Sequence, residues 1–102
     1  MNTHYDISCN HITQSQQITH VFHVGDLVHR ILRENAPPTT DIYRIETIRE
    51  ENGGSFHDGY TITTIATLCN IATKEEEHDV VIRYDNYMCR KVYDYAFPIK
   101  HT

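Results

Sequence analysis

Long apolar runs are missing from this chain: none exceeds about three residues in 102. A membrane-spanning helix needs roughly twenty apolar residues, so no such span is expected. The N-terminal stretch Met1-Asn2-Thr3-His4-Tyr5-Asp6 has neither a basic start nor an apolar core, so no secretory signal is expected either. Tryptophan is absent, and there are three prolines and four glycines. The three cysteines, Cys9, Cys69 and Cys89, are far apart and odd in number. A secreted scaffold of this size would carry a denser, even set. Free thiols in a cytoplasmic protein are the expectation.

Basic residues are also scarce. Nine Lys and Arg stand against fourteen Asp and Glu, a formal charge of −5, and this argues against a surface built to hold phosphate. The densest basic pair is Arg90-Lys91. Eight histidines make the charge soft, because protonating all of them would give −5 + 8 = +3. Histidine's ordinary pKa near 6.5 places that change just below neutrality.

Catalytic signatures are missing too. The chain has no Gly-x-Ser-x-Gly and no Gly-rich phosphate loop before a helix. No catalytic residue, cofactor or metal is expected, and the protein reads as a non-enzyme. Zinc is the alternative worth stating, because the closest pairs are Cys9-Asn10-His11 and His20-Val21-Phe22-His23. Cys9 and His11 stand too close for a structural zinc pair, and on a strand His20 and His23 would point to opposite faces.

What the chain does hold is Ile, Val, Thr and Tyr, which suit a pleated, half-buried surface. Residues 1–17 are polar and read as an N-terminal arm. Residues 18–99 read as one small β domain, and 100–102 as a tail. Gly25-Asp26 marks a bend before a strand Leu27–Leu32, and Asn35-Ala36-Pro37-Pro38 marks a loop. Strands are expected over Asp41–Glu50 and Tyr60–Ile71. Each changes parity once: Ile48 breaks step with Tyr43 and Ile45, and Ile62 with Ile65, Cys69 and Ile71. Paired bulges or strong bends would explain this. Residues 51–59 read as a long hairpin connection with Phe56 at its tip, and 74–79 as a charged loop. Val80–Tyr84 reads as a strand. Asp85-Asn86 reads as a two-residue turn, and Tyr87 to Phe97 as a returning strand. Residues 26–34 and 86–95 also fit helical spacing, so one short helix is an open alternative. The fold class is mainly β: a small antiparallel, strongly bent sheet, or a barrel of about five strands.

The stretch Phe22-His23-Val24-Gly25-Asp26-Leu27-Val28 resembles the opening of SH3-like small barrels of the KOW and Tudor kind. That resemblance implies a barrel fold and transfers no site residue, since such folds host unrelated functions. The short, acidic, Tyr-rich composition is also similar to accessory proteins of phages and mobile elements.

These readings converge on a cytoplasmic protein-binding module that docks another protein's basic or mixed surface. An inhibitor or regulator of a host nucleic-acid-binding complex is the specific form suggested. The candidate partner-binding residues are Glu75, Glu76, Glu77, Asp79, Tyr87, Tyr93 and Phe56. They combine acidic steering with aromatic anchors. The alternative is direct nucleic-acid binding through Arg83, Arg90, Lys91 and Tyr87. A homodimer through an exposed strand edge is compatible with either reading.

Overall fold

A computed structural model of the chain describes residues 21–99. Six antiparallel strands form one sheet: β1 (Leu27–Arg30), β2 (Ile42–Ser55), β3 (Gly59–Asn70), β4 (Glu76–Asn86), β5 (Lys91–Asp94) and β6 (Ala96–Pro98). The order across the sheet is β5-β4-β3-β2-β1-β6. Among the described residues there is no helix, so residues 26–34 and 86–95 take extended and turn structure. The arm at 1–17, the pair Cys9 and His11, and the tail at 100–102 lie outside the described residues.

The core shows why the sheet bends. Val28, Ile45, Leu68 and Ile82 are fully buried, and Phe22, Tyr43, Ala66, Val80 and Ala96 join them in one cluster. Those residues come from β1, β2, β3, β4 and β6. Strands near opposite ends of the sheet can share a core only if the sheet wraps around it. Burying each large aliphatic stabilises the fold by roughly 1.5–3 kcal/mol.

A bulge makes the wrapping fit in β2. Ile45 pairs with Leu68 and Thr47 with Thr67, leaving Glu46 as the extra residue. Ile48 therefore packs on the core alongside Tyr43 and Ile45. The second break expected in β3 lies in β4 instead. Thr64 pairs with Arg83 and Ile65 with Val81, and a further shift follows between Ala66 and Leu68. In both shifts the extra residue belongs to β4, where Asp79 has a φ of 58°. β3 changes parity for another reason: Ala66 and Leu68 enter the core, while Ile65 and Cys69 are buried outside it.

Three expectations about connections need correction. The expected loop at 51–59 is mostly strand, because β2 runs to Ser55 and Ser55 pairs with Gly59. The charged loop at 74–79 joins β4 from Glu76 onward. The hairpin after β4 is not closed by Asp85-Asn86: Asn86 pairs with Lys91, so Tyr87 to Arg90 form the turn, and Arg90 takes a φ of 56°. At about 3.3 Å per residue the fourteen residues of β2 span roughly 46 Å, which accounts for a long dimension of 50 Å.

The sheet is not closed into a barrel. β5 pairs with β4 at one edge and β6 with β1 at the other, although they are separated only by Tyr95. Tyr95 bridges the gap, since its N–H donates to the Ile82 carbonyl at 2.9 Å and its carbonyl accepts from the Ile31 N–H at 2.9 Å. A single residue, rather than a continuous ladder, spans the seam. Among the described residues no helix is long and apolar enough to cross a membrane.

The cysteines also depart from expectation. Cys69 is a buried free thiol, but Cys89 is disulfide-bonded. Its bonding partner is not among residues 21–99, where Cys69 is the only other cysteine. Disulfides persist in oxidising compartments, so cysteine usage no longer supports a cytoplasmic assignment.

Candidate functional site

The partner-binding residues proposed from sequence fall into two groups at opposite ends of β4. Glu76, Glu77 and Asp79 lie near its start, and Tyr87 follows its last residue. Ten residues separate Glu77 from Tyr87, or roughly 30 Å of bulged strand. One compact partner patch cannot use both ends equally.

The far end is apolar and held by specific bonds. Phe56 is 67% exposed, Tyr87 52%, Tyr60 43% and Met88 37%. The β2–β3 turn and the β4–β5 turn are joined there by Asn86, a buried polar residue. Its Nδ2 donates to the Asp58 carbonyl at 3.1 Å, while its Oδ1 accepts from the Cys89 N–H at 3.1 Å. The Tyr60 N–H also donates to the Met88 sulfur at 3.4 Å. Within the first turn, Ser55 Oγ accepts from the Asp58 N–H and donates to the Asp58 carboxylate, both at 3.1 Å. Large apolar side chains are thus displayed on a fixed end rather than on a loose loop. Tyr60, Met88 and Asn86 were not among the residues singled out from sequence. No local signal marks them, because the bonds join positions 28 residues apart.

The acidic end is more neutral than its sequence suggests. Arg30 pairs with Glu77, and Arg49 Nη1 donates to Asp79 Oδ1 at 2.9 Å. Glu76 lies 3.6 Å from His78 Nε2. Glu75 is exposed on the connection before β4. Tyr93, the remaining proposed anchor, is half-buried on β5, stacked at 6.5 Å against Tyr84 directly opposite and covered by Lys91 at 5.1 Å.

The residues of the nucleic-acid reading are dispersed in role. Arg83 binds Asp94 through two bonds, Nε to Oδ1 at 2.5 Å and Nη2 to Oδ2 at 3.1 Å, and lies 4.8 Å over the Phe22 ring. Arg90 is exposed in the turn beside Tyr87, and Lys91 opens β5. No group of three or more His, Cys, Asp or Glu side chains gathers at metal-binding distance among the described residues. His23 is exposed, with its N–H bonded to Asp26 Oδ2 at 2.9 Å. Cys9, His11 and His20 lie outside the described residues.

No family model matches this chain, and neither a curated protein nor a solved structure is significantly similar to it.

A cleft of about 700 Å³ opens near the start of β4, lined by residues that include Arg30, Leu32, Glu77, Asp79, Tyr84 and Tyr95. It lies along the seam that Tyr95 bridges. Burial raises the pKa of the Tyr95 hydroxyl, and nearby Glu34, whose Oε2 it approaches at 3.5 Å, pushes it further in the same direction.

Proposed function

We propose that the protein is a non-enzymatic binding module that docks another protein with the end carrying Phe56, Tyr60, Tyr87 and Met88. The supporting observation is that these exposed side chains share one end, pinned by Asn86 and by the bond from Tyr60 to Met88. Exposed aromatics on a preorganised surface are the residues that dominate protein interfaces, because little side-chain freedom is lost on binding. The net charge of −5 suits a basic or mixed partner surface, to which Glu75 and Glu76 would add long-range attraction. A nucleic-acid-binding complex is therefore the partner class to test first, with this chain as its inhibitor or regulator.

Affinity capture from the native host tests the reading with three chains: wild type, Phe56→Ser/Tyr87→Ser, and Glu75→Lys/Glu76→Lys. The first variant should lose the partner, since two interface aromatics are worth about a hundredfold in affinity. The second should weaken it mainly at low salt. Circular dichroism confirms that each variant is folded. Undiminished capture by the folded aromatic variant would eliminate the reading.

A further inference from the structure

We infer that the cleft beside β4 is a second binding site, one that accepts an extended, basic peptide segment as an added strand. β4 pairs with β3 along most of its length, but β5 covers only Arg83 to Asn86 on the other side. Beyond Ile82, whose carbonyl takes the Tyr95 N–H, no strand among the described residues pairs with the outer edge of Glu76 to Val81. Six residues of edge accommodate a partner strand of about 20 Å. Backbone groups on such an edge are a ready template for strand addition.

The cleft turns this edge into a groove. Glu77 to Val81 form one wall, and Ile31, Leu32 and Tyr95 stand among the residues of the other. Leu32 is 62% exposed and Val81 is 37% exposed, so both present apolar surface to an occupant. The outer edge of β2 beyond its pairing with β1 is longer, but Glu46, Arg49, Glu50 and Glu51 blunt it with charge.

Charge selects the occupant. Glu76, Glu77 and Asp79 lie on the edge, and Glu34 approaches the Tyr95 hydroxyl. Arg30 and Arg49 offset two of these four carboxylates, so the groove keeps an acidic excess. A segment alternating basic and apolar residues would satisfy the edge bonds, the apolar wall and that excess together. This site is separate from the apolar end, roughly 30 Å along β4.

The probe is a capped Lys-Val-Lys-Val-Lys-Val peptide, titrated into the full chain and followed by amide shifts and hydrogen exchange. Saturable binding should shift residues 30–32 and 76–82 and slow amide exchange within 76–81. Methylating alternate backbone nitrogens of the probe should weaken binding about tenfold, since charge is kept while edge bonds are lost. Leu32→Lys, at an exposed position, should also weaken it several-fold, whereas Phe56→Ser/Tyr87→Ser should leave it unchanged. Equal affinity for the methylated probe would reduce the effect to charge attraction and overturn the inference. So would shifts confined to the apolar end, or no binding at millimolar probe. Concentration-dependent protection of 76–81 without probe would assign the edge to a second copy and overturn it equally. Failed partner capture in the experiment above would leave this site's test intact.

Discussion

At the residue scale the decisive contacts join positions far apart in the chain. Arg83 and Asp94 face each other across β4 and β5 with side chains 12% and 27% exposed. Removing one partner leaves a poorly hydrated charge, so Asp94→Ala should cost about 2 kcal/mol in urea unfolding. Arg83→Met/Asp94→Ala should recover part of that loss. Asp85 supplies a pH signature. Burial raises its pKa above the ordinary 3.8, only partly offset by Arg83. Its cross-strand neighbours are Ile62 and Val92, which cannot solvate a carboxylate. The folded state therefore holds the proton to higher pH than the unfolded state, and stability falls as pH rises through that window. Asp85→Asn should raise the melting temperature at neutral pH, with the gain disappearing near pH 3. Little of this was legible beforehand. Sequence shows Arg83 only as a cation and Cys89 only as a thiol. Fixing Arg83 on Asp94 takes a strand pairing, and Cys89 is bound through a cysteine not among residues 21–99.

Elements were more legible than their ends. Alternating Ile, Tyr and Thr marked β2 and β3, and the break in step at Ile48 located the bulge at Glu46 within two residues. The Gly-Asp bend also formed, with Gly25 at a φ of 96° and Asp26 accepting from the His23 N–H. The Gly53-Gly54 pair gave the wrong length for the hairpin connection. Glycines signalled a loop, whereas the two strands remain paired through them as far as Ser55 and Gly59. Gly54 explains why a glycine is needed inside a strand. Its φ is 86°, and a Cβ there would lie 2.1 Å from the Gly59 carbonyl oxygen. Gly25 has a similar φ but open space around it. The two positions separate strain from collision. Gly25→Ala should cost about 1 kcal/mol for the left-handed backbone alone. Gly54→Ala should cost at least about 3 kcal/mol, because the backbone itself must move. Urea midpoints of the two variants make the comparison, and equal costs would refute the collision.

At the scale of the whole molecule, the open question is how the wrapped sheet holds its two edges together. β2 and β3 share a ladder that runs from Tyr43 paired with Asn70 to Ser55 paired with Gly59. The seam has much less: the two backbone bonds of Tyr95, the pair between Arg30 and Glu77, and the burial of Ala96. Opening it would expose the β1 and β6 side of the core while leaving the central ladder paired. Stability should therefore be uneven, with the seam opening as a local unit before global unfolding. Native-state hydrogen exchange should show the amides of Ile31 and Tyr95 exchanging at a lower opening free energy than those of the Ala66 to Leu68 region. Glu77→Gln weakens the only ion pair resolved across the seam among the described residues, so it should lower the Ile31 and Tyr95 values while leaving β3 nearly unchanged. Val80 and Ile82 contribute to the same core from the other side of the seam, so a substitution such as Ala96→Ser should act in the same direction. A closed barrel would behave differently, because its last strands would share the protection of the rest. Uniform opening energies across Ile31, Tyr95 and Leu68 would show that the edges form one cooperative unit with the central strands.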